Sequence, residues 1–152
     1  MWVPGRAEHR HPWQARCTAG RAVVTAKGGF LPVAKVMVVD DAYADLMLME
    51  SILKSAGHDV VSLQDGEALE EKMSVERPDM LLLDIVMPKR NGFELLRALR
   101  KDERIRKTPV VLVSSKNQES DRAWGKRQGA DDYLTKPFTS SELLTMVGRF
   151  VQ

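Results

Sequence analysis

Asp40-Asp41, Asp84, Ser114-Ser115 and Lys136-Pro137 each follow directly on a short apolar run. If those runs are neighbouring strands, three carboxylates, a hydroxyl and an amine meet in one place. Carboxylates gathered so closely repel: at ~4 Å and an effective dielectric near ~20, each pair costs about 4 kcal/mol. A cation must offset this, and the sequence offers Lys136 together with a bound metal. Oxygen donors with no His or Cys nearby point to Mg²⁺. The chemistry such a set supports is phosphoryl transfer. Asp84 would attack phosphorus and form an acyl phosphate, while Mg²⁺, Lys136 and the Ser114 hydroxyl each take one of the phosphoryl oxygens. No general base is expected, because a carboxylate of ordinary pKa is ionised at neutral pH.

Each of these residues has a plainer reading on its own. An aspartate after a strand is often a helix N-cap, a serine a turn former, and a lysine a solvated loop charge. Lys89 and Arg90 read as surface charge, and Met87-Pro88 and Asn91-Gly92 as turn punctuation. What singles out the acid pair, the acid, the hydroxyl and the amine is that they occupy four strand ends on one edge.

The elements that must position them follow from the apolar pattern. Five strand candidates, β1 to β5 in chain order, lie at 35–39, 59–63, 80–83, 110–113 and 132–135. Several are apolar at successive residues, as expected for strands covered on both faces. Helical patterns, α1 to α5, alternate with them. In 43–56, Leu46, Met49, Leu53 and Ala56 share a face and Gly57 supplies the stop. In 66–74, Ala68, Leu69 and Met73 do the same. Phe93, Leu95, Leu96 and Leu99 mark α3, Ala123 and Trp124 mark α4 before Gly129, and Leu143, Leu144 and Val147 mark α5. Thr139 or Ser140 would cap that last helix, with Glu142 near its positive end. Alternating strands and helices predict an α/β fold, a doubly wound five-stranded parallel sheet of the flavodoxin-like kind with strand order 2-1-3-4-5. On such sheets ligands bind at the carboxyl ends of the strands, beside the switch in order, where the aspartates are.

The composition, 43% apolar and 29% charged over 152 residues, fits one globular domain. The net charge of +2 is unevenly spread: residues 1–33 hold five Lys/Arg against one acid, and the remainder 18 against 20. A nucleic-acid role inferred from the whole-chain pI would therefore describe the leader alone. That leader, 1–33, lacks a helical or strand period and is expected to stay disordered. A start at Val33 in the natural protein is a further expectation, which would leave 34–152 as the functional domain. The single cysteine, Cys17, excludes an internal disulfide and suits a cytoplasmic protein. No apolar run approaches the roughly 20 residues of a membrane span.

Val38-Val39-Asp40-Asp41, Asp84-Ile85-Val86-Met87-Pro88, Asn91-Gly92, Ser114 and Lys136-Pro137-Phe138 together resemble the response-regulator receiver family, of the CheY-like single-domain kind. The resemblance spans 34–151. It implies that Asp84 is the phosphorylation site, and that Asp40 and Asp41 hold Mg²⁺ with Asp84 and the Val86 carbonyl. It implies that Ser114 and Tyr133 are a switch pair, the tyrosine rotating inward as the hydroxyl moves to the phosphate. It also implies a cis Lys136–Pro137 peptide that aims the lysine inward. Val86 and Lys116 depart from chemotaxis relatives at positions where the family tunes dephosphorylation. The run from Ser115 to Ala130 is similar to PilH-like receivers of type IV pilus systems, which serve twitching motility. The resemblance implies a chemotaxis-type histidine kinase as donor and a downstream protein target on the α4–β5–α5 face. The plainer reading of α4 packs Trp124 on its buried side and leaves Lys126 and Arg127 solvated.

The chain is thus expected to be a phospho-acceptor signalling protein rather than an enzyme, with only self-catalysed phosphoryl transfer and slow autodephosphorylation. No output domain follows the last helix, so output is expected through protein contact, without nucleic acid. The alternative is a phosphate sink or relay intermediate for a shared kinase. A flavin or nucleotide binder on the same fold lacks its Gly-rich phosphate loop here, since Asp40-Asp41-Ala42-Tyr43 follows β1.

Overall fold

The computed structural model describes residues 22–24, 30–116 and 118–151. The chain divides into two units, Met1–Val33 and Ala34–Gln152. In the larger unit the strands are β1 (Lys35–Val39), β2 (Asp59–Leu63), β3 (Met80–Asp84), β4 (Val110–Ser114) and β5 (Asp132–Thr135). The helices are α1 (Tyr43–Ser55), α2 (Leu69–Glu76), α3 (Gly92–Lys101), α4 (Glu119–Arg127) and α5 (Ser140–Phe150). All strand pairs are parallel, in the order β2-β1-β3-β4-β5. The expected order 2-1-3-4-5 is the observed one.

The apolar runs divide between the two faces of the sheet because successive strand side chains point to opposite sides. Val36, Val38, Leu82, Val111 and Val113 pack with Leu46, Met49 and Leu53 of α1 and Leu143 and Val147 of α5. Met37, Val39, Leu81, Leu83 and Leu112 pack with Leu69 and Met73 of α2 and Leu95, Leu96 and Leu99 of α3. β1, β3 and β4 are apolar except at Lys35, Asp84 and Ser114 on their ends, because they are covered on both faces. β2, at the edge, is only half-buried.

The helix ends follow their local chemistry. Gly57 takes φ 90° after α1, a conformation glycine adopts without steric cost. Thr139, rather than Ser140, caps α5: its hydroxyl accepts from the Glu142 amide while the Glu142 carboxylate accepts from the Thr139 amide. Asn91 caps α3 by accepting from the Glu94 amide.

One expectation is corrected. Ala123 and Trp124 are not the buried face of α4. Trp124 is 49% exposed and stands nearly perpendicular to the Phe93 ring, centroids 6.5 Å apart. Gly125 is the buried residue of that helix, and a Cβ there would lie 2.8 Å from Leu112 Cδ1. The helix backbone itself presses on β4, which turns the large neighbouring ring outward. Within the leader, only 22–24 and 30–33 are described. Ala22–Val24 and Phe30–Pro32 pair as a two-stranded antiparallel sheet. The disorder expected for 1–21 and 25–29 lies outside the described residues.

Candidate functional site

The register of the sheet assembles the site. Val39 pairs with Leu83, so the next residues, Asp40 and Asp84, leave neighbouring strands side by side. Ser114 pairs with Thr135, so Lys136 leaves β5 one residue beyond the serine, and its amide donates to the Ser114 carbonyl at 2.8 Å. The Lys136–Pro137 peptide is cis.

Asp40, Asp41 and Asp84 each present a carboxylate oxygen, and the three lie within 4.8 Å of one another. Asp40 is fully buried, Asp84 7% exposed, and Asp41 open to solvent. The Ala42 amide donates to Asp40 Oδ1 at 2.9 Å, which orients that carboxylate. Lys136 Nζ reaches in from the other side: 2.7 Å from Asp40 Oδ2, 3.0 Å from Asp45 Oδ2 and 3.8 Å from Asp84 Oδ1. Gly92 closes the base of the site. A Cβ there would sit 2.4 Å from the Asp84 carbonyl oxygen, so only glycine lets α3 begin against the end of β3. Asn91-Gly92 is therefore more than turn punctuation.

The electrostatics correct one expectation. Asp84 is not an ordinary carboxylate: burial, then the charge of Asp40, pushes its pKa up to about 7, against the pull of Lys136, with Asp41 adding to the rise. Lys136 is moved the other way on balance. Burial disfavours its charge, but hydrogen bonds to Asp40 and Asp45 and the charge of Asp84 outweigh that and raise its pKa. The Lys136 ammonium is shared by Asp40, Asp45 and Asp84, with Asp41 completing the acidic cluster, an excess of negative charge with oxygen donors only. Such a set fits a hard divalent cation of the Mg²⁺ kind.

Ala42, Asp45, Leu48, Asp84, Val86, Ser114, Ser115, Lys136, Pro137 and Phe138 line one open cleft of about 390 Å³. Ser114 is buried, and its Oγ accepts from the Lys116 amide at 3.3 Å. Tyr133 is also buried, ring inward, and its hydroxyl donates to the Lys116 carbonyl at 2.6 Å. Both residues of the expected switch pair thus bond to the backbone of Lys116. Burial raises the tyrosine pKa. Lys89 and Arg90 stay out of the site: Lys89 pairs with Glu67 at 2.8 Å and Arg90 with Glu70 at 2.8 Å. Val86 presents an exposed side chain to the cleft.

Asp45 was not anticipated. It follows Asp41 by four residues, and with α1 starting at Tyr43 it stands on the first turn of that helix, on the side facing Lys136. Its place on the first turn after the strand-end acids puts it near that edge, but no local signal pairs it with Lys136.

The model of the response regulator receiver domain matches residues 36–148. Protein PilH of Pseudomonas aeruginosa is 42% identical over 118 residues, 76% of this chain and 95% of that protein. The alkaline phosphatase synthesis transcriptional regulatory protein PhoP of Bacillus subtilis is 37% identical over 109 residues, 72% of this chain but only 45% of the relative. Among solved structures, the chemotaxis protein CheY4 of Vibrio cholerae superposes with a TM-score of 0.74 at 30% identity, over 78% of this chain and 99% of that one. The receiver domain of the sensor histidine kinase PA1611 of Pseudomonas aeruginosa, solved with a magnesium ion in its active site cleft, superposes with a TM-score of 0.72 at 27% identity, over 78% and 97%. With the sheet order, the acidic cluster and these likenesses together, the chain belongs to the response regulator receiver family of two-component systems.

Proposed function

We propose that this receiver accepts a phosphoryl group on Asp84 from the phosphohistidine of a chemotaxis-type histidine kinase. An Asp84 carboxylate oxygen attacks phosphorus as the P–N bond breaks, and the bonding pair leaves on the imidazole nitrogen. The observation that carries this reading is the placement of Asp84. It is buried among like charges, with an ammonium 3.8 Å away rather than in direct contact. Asp40, Asp41, Asp84 and the Val86 carbonyl would hold Mg²⁺. Once bound, the ion would neutralise the carboxylates and the charge developing on the phosphoryl oxygens. Lys136 pairs with a second phosphoryl oxygen and the Ser114 hydroxyl donates to a third.

Ser114 and Tyr133 are the switch in this reading. Drawing the serine hydroxyl toward the phosphoryl group takes it from the Lys116 amide, and the segment that also anchors Tyr133 is biased with it. Phosphorylation adds roughly −1.5 to −2 charge, and its effect is a shift of population toward the state it binds better. The output surface is the α4–β5–α5 face, where Arg122, Tyr133, Thr135, Met146 and Arg149 line a groove. Likeness to PilH over most of the chain supports an output in type IV pilus motility; the output in this reading is by protein contact in the cytoplasm, without nucleic acid. The protein acts as a switch, not as a turnover enzyme; its only chemistry is phosphoryl acceptance and slow autodephosphorylation.

The test is intact mass after incubation with a small-molecule phosphodonor and Mg²⁺. One phosphoryl group should appear on the wild type and be absent from Asp84→Asn and from samples with EDTA. A phosphoryl group retained by folded Asp84→Asn would move the acceptor elsewhere.

A further inference from the structure

Lys136 is shared unevenly among the acids around it. Asp40 and Asp45 bond its ammonium directly, at 2.7 and 3.0 Å, while Asp84 stands back at 3.8 Å. Asp40 is fully buried and fixed by the Ala42 amide, so its share of the lysine is built into the end of β1. Asp45 is different. Its side chain is 44% exposed and stands on a helix rather than a strand end. An acid on the first turn of a helix is ordinarily explained by the helix dipole. That effect asks for no partner, whereas Asp45 reaches across to a lysine 91 residues away.

We propose that Asp45 is a positioning residue that holds the Lys136 ammonium on the α1 side of the cleft, in competition with the group on Asp84. The inference rests on Asp84 being the phosphoryl acceptor. A phosphoryl oxygen bound to Asp84 gains Lys136 only as the lysine gives up Asp45. The half-exposed Asp45 carboxylate can be rehydrated when released, which a buried one could not be without a large cost. Asp45 thereby sets how strongly the unmodified receiver resists the phosphorylated state, and so the resting bias of the switch. Asp45 and Leu48 also line the same cleft as Asp84, so the competition takes place where the phosphoryl group would sit.

Beryllofluoride, a non-covalent mimic of an aspartyl phosphate, reads this without turnover. In saturating Mg²⁺, Asp45→Asn should bind it more tightly than the wild type by about two- to fivefold, the worth of a half-exposed ion pair. Asp45→Glu, which can still reach the lysine, should return affinity to near the wild-type value. A crystal structure of free Asp45→Asn should place Lys136 Nζ within direct hydrogen-bond distance of Asp84. Unchanged or weaker affinity in Asp45→Asn, or an ammonium still at the wild-type distance from Asp84, overturns the proposal. A folded wild type that fails to bind the probe at all would instead sink the acceptor reading, and this inference with it.

Discussion

The two ends of the same parallel sheet use similar residues for opposite purposes. At the amino edge, polar side chains extend the ladder. Asp79 accepts from the Lys35 amide at 2.8 Å and gives its own amide to the Lys35 carbonyl, joining β3 to β1. Asp131 does the same with Val110, joining β5 to β4. His58 Nδ1 accepts from the Ala34 amide at 3.1 Å beside β2. Arg100 then ties the Gly129, Arg106 and Thr108 carbonyls and Asp131 together. Each charge there has a neutral or opposite partner. At the carboxyl edge, Asp40, Asp45 and Asp84 crowd a single lysine, with Asp41 clustered beside Asp40 and Asp84. One edge spends its polar groups on backbone hydrogen bonds. The other leaves charge uncompensated, which costs stability and makes a place for a cation and a phosphoryl group.

That contrast can be broken most directly at the lysine. Lys136→Ala leaves Asp40 buried and unpaired and should cost about 3 kcal/mol, measured by urea denaturation without divalent cations. A loss below about 1 kcal/mol would mean that the acids at this edge are better satisfied than their geometry implies. The aspartates should then divide by edge. Asp131→Ala strands the buried Val110 amide and one arm of Arg100, a loss of about 2 kcal/mol. Asp84→Asn, nearly isosteric, relieves repulsion and should raise stability by about 1 kcal/mol at pH 8 without divalent cations. Equal signs for the two substitutions would dissolve the comparison.

The smallest effect is expected from His58, whose pKa burial holds below 6.5. The folded protein binds this proton less readily than the unfolded chain does. The stabilisation is therefore complete above pH 6.5 and declines as pH falls from there through the lower folded value. Protonation also removes the acceptor that takes the Ala34 amide. Subtracting the melting curves of His58→Asn from those of the wild type should leave a shallow slope on the acid side alone. A difference confined to alkaline pH would contradict this.

Much of the molecule was legible before folding. Continuous apolar runs for the strands and a 3.6-residue period for the helices determined the five βα units, and right-handed crossovers in a doubly wound sheet set their order. It also brought Asp40, Asp84, Ser114 and Lys136 to one edge, because residues that end parallel neighbours must share that edge. Local chemistry at Gly57 and Thr139 was readable for the same reason: caps depend on a few adjacent residues. Three features depended on the tertiary structure. Trp124 faces outward because Gly125 lets the α4 backbone close on Leu112, a contact between elements with no local signature. Asp84 is raised to about 7 because burial and Asp40 act on it together. Asp45 bonds Lys136 because α1 and the end of β5 flank the same cleft. Sequence periodicity reports which face a residue occupies; distance between faces, and hence desolvation and charge coupling, exists only once the elements have packed.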